Sequence, residues 1–96
     1  MELGGNIELI DFKDLDPSEM IVLKKIIGNY ARKFSDQVEN YEKLSLHLKK
    51  AEGKHKYEVF GKLHHNQKTT NSEVNGTNLF MAVSDALKKI ENQLMK

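Results

Sequence analysis

Four histidines, His47, His55, His64 and His65, are the side chains best suited to hold a metal or to exchange a proton near neutral pH. Their spacing argues against a shared metal. His64 and His65 are adjacent, and neighbours on a strand point to opposite faces. His47 and His64 could share one outer sheet face, but no carboxylate–histidine motif accompanies them. Ordinary strand histidines beside Glu58 account for the same pattern. The chain has no cysteine, which removes disulfides, zinc–thiolate sites and thiol catalysis and fits a reducing cytoplasm. It has no nucleophile elbow, no phosphate-cradling glycine motif and no paired-acid motif. Gly4-Gly5 precedes the first expected strand instead of following it, the wrong context for a phosphate loop. The expectation is a non-enzymatic protein with no catalytic residue, no metal, no other cofactor and no small-molecule substrate.

The remaining chemistry is charge. The formal net charge of +1 hides an asymmetry. Residues 1–19 hold Glu2, Glu8, Asp11, Asp14, Asp16 and Glu19 against Lys13 alone, so residues 20–96 carry a net +6. A basic body favours a polyanionic partner, although a lysine-rich surface also serves simply to keep a protein solvated. The cations fall in three groups. Lys24, Lys25, Arg32 and Lys33 lie in one helical stretch, and Lys88 and Lys89, with Asn92, lie in another. Lys49, Lys50, Lys54, His55, Lys56, Lys62 and Lys68 surround an expected hairpin.

Two helices and four strands must position these groups. In Asn78 to Met95, the residues Leu79, Val83, Ala86, Leu87, Ile90 and Leu94 recur at spacings of three and four, one face of a helix. Thr77 or Asn78 supplies a cap after Gly76. Asp85, Lys88 and Asn92 occupy the opposite face, and Phe80 and Met81 lie off the stripe. An earlier helix is expected from Pro17 to about Phe34. Asp16-Pro17-Ser18-Glu19 opens it as a capping box with proline at the first helical position. Its stripe is Met20, Leu23, Ile27, Tyr30, Ala31 and Phe34, leaving Ile21 and Val22 partly exposed. Gly28 weakens this helix by up to ~1 kcal/mol relative to alanine.

Residues 6–12 show the partial alternation of a strand. Lys43 to Lys50 alternates cleanly, with Leu44, Leu46 and Leu48 on one side and Ser45, His47 and Lys49 on the other. A turn at Glu52-Gly53 would place Leu48 opposite Tyr57, Leu46 opposite Val59, His47 opposite Glu58 and Lys49 opposite Lys56. That last pair sets like charges across a hairpin, an arrangement that suits phosphates better than an isolated protein. After a turn at Asn66-Gln67-Lys68, Thr69 to Asn75 reads as an edge strand.

The order is β-α-β-β-β-α. One apolar face per element is satisfied by an α+β two-layer sandwich, a four-stranded mixed sheet with both helices on one face, like a double-stranded-RNA-binding domain. Ninety-six residues and 39% apolar content suit one domain, with residues 1–5 as a candidate flexible end. No apolar run approaches the roughly 20 residues that span a bilayer, and the N-terminus lacks the basic start and apolar segment of a secretory signal, so a soluble, cytoplasmic protein with no membrane partner is expected.

The chain resembles the ribosome hibernation factors, also called ribosome-associated translation inhibitors, in its short single-domain form. The most specific match is the last helix. The family pattern is a polar cap, then apolar-aromatic-Ala-Ala-apolar, two polar residues, Ala-apolar, a polar residue and Lys-Leu-Glu-Arg-Gln-Leu. Asn78-Leu79-Phe80-Met81-Ala82-Val83-Ser84-Asp85-Ala86-Leu87-Lys88-Lys89-Ile90-Glu91-Asn92-Gln93-Leu94 follows it closely. Asn71-Ser72-Glu73-Val74 and His55-Lys56-Tyr57-Glu58-Val59 are similar to the last and third strands. The resemblance implies binding to small-subunit rRNA near the decoding region and steric exclusion of mRNA and tRNA, with translation inhibition in response to stress. Lys89 matches the family's lysine, while Asn92 stands where arginine is usual; Lys88 projects from the same outer side as Asn92. Lys25 and Arg32 carry over only as basic positions of the first helix. The length leaves no room for the C-terminal dimerisation domain of long family members, which argues against ribosome pairing through such a domain, and a monomer off the ribosome is expected. The alternative is a structured- or double-stranded-RNA-binding module acting away from the ribosome.

Overall fold

The computed structural model describes residues 2–3, 6–13, 15–51 and 56–95. The elements in chain order are β1 (Glu2–Leu3), β2 (Ile7–Ile10), α1 (Pro17–Gln37), β3 (Tyr41–Ala51), β4 (Lys56–His65), β5 (Lys68–Gly76) and α2 (Leu79–Leu94). The expected β-α-β-β-β-α order is present. Glu2–Leu3 adds a two-residue strand antiparallel to β2 at the sheet edge. The sheet runs β1-β2-β3-β4-β5; β2 and β3 are parallel and the other neighbours antiparallel. α1 is thus the crossover that a parallel pair requires.

Both helices cover one face. Leu9, Leu44, Leu46, Leu48, Val59 and Leu63 project from the strands into a single core with Leu23, Ile27 and Phe34 of α1 and Val83, Leu87 and Ile90 of α2. Phe12, just past β2, is also buried, so the apolar run continues inward after the strand itself has ended. No polar or charged residue is buried among those described. The Asp16 backbone N–H donates to Glu19 Oε1 at 3.2 Å, which closes the first turn of α1 behind Pro17. Asn78, not Thr77, caps α2: its Oδ1 accepts from the Met81 N–H at 3.0 Å.

The β3–β4 register differs from the expected one by two residues. Leu48 faces Val59, Leu46 faces Gly61, His47 faces Phe60 and Lys49 faces Glu58, while Lys56 faces Ala51. A shift of two keeps every side chain on its expected face, so burial could not distinguish the two registers. It removes the like-charge Lys49–Lys56 pair and sets Lys49 opposite an acid instead. The expected Glu52-Gly53 turn lies outside the described residues. The β4–β5 turn is Asn66-Gln67, both at positive φ (47° and 63°), as a tight two-residue hairpin turn demands. Glu42 Oε2 accepts from the Gln67 N–H at 3.1 Å and helps hold that conformation.

Candidate nucleic-acid interface

The stripe of α1 fixes where its cations go. With Leu23, Ile27 and Phe34 turned to the sheet, Lys24, Lys25, Arg32 and Lys33 are all exposed. Lys24, Lys25 and Arg32 make no hydrogen bond or ion pair with the described residues. Lys33 Nζ lies 5.0 Å from the centroid of the Tyr30 ring, a cation–π contact that aims it along the groove between α1 and α2. Arg32 lines that groove, with Asn29 and Asp36, and also the groove on the other flank of α1 beside Asn6, Gly28 and Tyr41. It therefore stands on the crest of the helix, within reach of a ligand lying on either side.

The cations of α2 are divided. Lys88 and Asn92 are exposed on the outer side of the helix. Lys89 turns to the edge of the sheet, where its Nζ donates to the Glu73 carbonyl at 3.1 Å. One helical turn on, Gln93 Nε2 donates to the Asn71 carbonyl at 2.7 Å. The spacings match: four residues of helix rise about 6 Å, and two residues of strand about 7 Å. Lys89 and Gln93 thus occupy carbonyls on the free edge of β5, where an unpaired strand would otherwise present them to another chain.

The hairpin cations belong elsewhere. Lys49 and Lys62 are on the outer face of the sheet, away from the helices, and Lys49 Nζ is 5.2 Å from the Phe60 ring centroid. Lys56 is exposed at the start of β4. Lys54 and His55 lie outside the described residues. Lys24, Lys25, Arg32, Lys33, Lys88 and Asn92 thus share the helix layer, whereas Lys49 and Lys56 do not join them.

The three described histidines find ordinary partners. His47 Nε2 is 2.7 Å from Asp11 Oδ2, His64 bonds the Thr69 hydroxyl and His65 the Thr70 hydroxyl. No group of three His, Cys, Asp or Glu side chains among the described residues could hold a metal ion. Burial pushes the Tyr41 phenol above its ordinary pKa, and its hydroxyl donates to the Asn6 carbonyl at 3.3 Å. Sequence reasoning did not find the roles of Gln93 and Phe60. Phe60 was legible in principle, because it falls in the outward phase of β4 with Lys62. Gln93 was not, because the helical period alone does not show which flank borders an edge strand.

Among the described residues, no helix is long and apolar enough to cross a membrane. No protein-family model and no curated protein matches the chain. Solved structures match it along nearly its whole length. A ribosomal subunit interface protein from Coxiella burnetii superposes with a TM-score of 0.66 at 13% identity, covering 94% of this chain and 91% of that one. The N-terminal domain of Protein Y from Thermus thermophilus gives a TM-score of 0.66 at 14% identity, covering 98% and 96%. Two helices over one face of a mixed sheet, joined in this order, are therefore the fold that the chain has in common with a ribosomal subunit interface protein and with the Protein Y N-terminal domain.

Proposed function

We propose that the chain is a ribosome-associated hibernation factor of the cytoplasm that lays its helix layer on small-subunit rRNA near the decoding region and obstructs mRNA and tRNA there. The observation that carries this reading is the row Lys24, Lys25 and Arg32, exposed on α1 and unpartnered by the described residues, on a fold shared with a ribosomal subunit interface protein. Inhibition by occupancy needs no reacting group, only enough phosphate contacts to hold a rigid body in place. Each contact releases counterions, so affinity should fall steeply as salt rises. Lys33 and Lys88 extend the row toward α2, and the outer position of Asn92 lacks a charge. The family arginine would have made one more contact there.

The test is co-sedimentation with purified small ribosomal subunits across a salt series. Lys25→Glu with Arg32→Glu should weaken binding by tenfold or more and flatten its salt dependence. Unfolding free energy should stay within about 0.5 kcal/mol, as expected for exposed side chains without partners. Full binding by the double variant would exclude α1 as the contact. Equal affinity for a free RNA duplex, without competition from tRNA on the subunit, would favour an RNA-binding module acting away from the ribosome.

A further inference from the structure

We propose that the bare face of the sheet is a second binding surface, one that takes an unpaired RNA segment by stacking a base on Phe60. The helices leave this face uncovered. Ile10, His47, Lys49, Phe60, Lys62 and His64 line an open groove of about 440 Å³ on it. Phe60 sits at its centre, half-buried, with the His47 ring 6.2 Å away and Lys49 Nζ 5.2 Å above its own ring. Ile10, 39% exposed, extends the apolar floor on the far side of His47. An aromatic ring on an uncovered sheet, already carrying a cation on its π face, offers what a nucleotide presents: a flat base beside a phosphate.

The charges around the ring set a path. Lys49 and Lys62 stand one row to either side of the Phe60–His47 row, about 14 Å apart along the strands. One acid, Glu8, lines the groove itself and is matched by Lys43 at 3.2 Å; Asp11, close by, lies 2.7 Å from His47. Glu58 stands opposite Lys49, and Glu73 faces Phe60 from β5. Glu73 repels phosphate from the β5 side and Glu58 from its own end of β4, so the backbone must cross from Lys49 on β3 to Lys62 on β4 with its phosphates toward these lysines. A duplex keeps its bases inside the stack and cannot present a face to Phe60; an unpaired strand can. This surface is independent of the helix-layer reading, and either can fail alone.

The experiment titrates the full chain with a fluorescein-labelled oligoadenylate of about eight nucleotides, and with the same strand annealed to its complement. Wild type should bind the single strand at least tenfold more tightly than the duplex. Phe60→Ala should lower single-strand affinity about tenfold, within the range of one lost base stack. Phe60→Leu, which keeps the apolar bulk and protects the fold, should lower it comparably at an unchanged unfolding midpoint. Lys62→Glu should weaken it further as salt is reduced. The Lys25→Glu, Arg32→Glu protein should bind the oligonucleotide within about twofold of wild type. Undiminished binding by Phe60→Leu, equal affinity for the duplex, or loss of binding in the helix-layer variant would each overturn the proposal. Displacement of the strand by adenosine monophosphate at a matched nucleotide concentration would also overturn it, since the groove would then be a site for a free nucleotide.

Discussion

The two helices cover the same face of the sheet, but α2 is stitched to it and α1 rests on it. α2 donates from Lys89 and Gln93 to the β5 edge, and its Ile90 presses into the space left by Gly61. A Cβ built at Gly61 would lie 3.0 Å from Ile90 Cδ1 and 2.6 Å from Ser72 Oγ. Gly61 belongs to β4, beneath α2; the glycine of α1 is Gly28, and nothing lies within 4 Å of the position its Cβ would take. The α1 lysines and Arg32 bind no described residue, apart from Lys33 over Tyr30. One helix uses a basic side chain to close the fold; the other leaves its cations exposed, without hydrogen bonds or ion pairs to the described residues. Basic residues in an amphipathic helix are therefore not equivalent evidence for binding, and the hydrogen bonds they already make decide between the two uses.

The largest effect that separates the two helices should come from Gly61→Ala. The methyl group must displace Ile90 or Ser72 within a packed interface, and overpacking of this kind costs about 1–3 kcal/mol. Urea denaturation should show the loss, and Ser72→Ala should reduce it by removing the nearer clash. Ser72→Ala alone should be neutral or stabilising, because Ser72 Oγ is buried without a hydrogen-bond partner. A cost for Gly61→Ala that is the same in both backgrounds would mean that Ile90, not Ser72, sets the limit.

Most of the fold was legible because apolar spacing and capping chemistry agree in each element. The stripe of α1 is buried as expected except at Tyr30, which is only partly covered, and Ala82 joins the stripe of α2. The β3–β4 register was not legible. Alternation in Leu44-Ser45-Leu46-His47-Leu48 fixes which side chains turn inward, and a slip of two residues leaves that unchanged. The candidate site was legible as residue types but not as a surface. Lys49 and Lys89 look like Lys25 in the sequence. Alternation turns Lys49 away from the helices, but only the place of β5 at the sheet edge brings Lys89 to the Glu73 carbonyl.

Gln93→Ala should cost about 1 kcal/mol, the usual net value of one hydrogen bond, and should expose the β5 edge to pairing between chains. Light scattering at raised concentration would detect that association; a variant that is both as stable and as monodisperse as wild type would remove the stitch from the account of α2. Gly28→Ala should act in the opposite direction on α1. It should stabilise the protein by about 0.5–1 kcal/mol, since the helix gains propensity and the methyl meets open space. If thermal unfolding shows a loss instead, α1 is held more closely than its open flank indicates.

The smallest effect concerns the flank of α1 beside Tyr41. Burial raises the folded-state pKa of this phenol above its ordinary 10.0, so the native chain keeps the proton to a higher pH than the unfolded chain does. Between these two values the unfolded state binds fewer protons, and stability must fall as pH rises. The contribution is intact below about pH 10 and is lost as pH climbs through the raised folded value. Tyr41→Phe removes the titrating group along with its hydrogen bond to the Asn6 carbonyl. Urea midpoints compared at about pH 9 and pH 11 should therefore drop further in wild type than in the variant. Equal drops would mean that Tyr41 is as well solvated in the folded chain as in the unfolded one, and that the groove between α1 and β2 is wetter than its packing against the core implies.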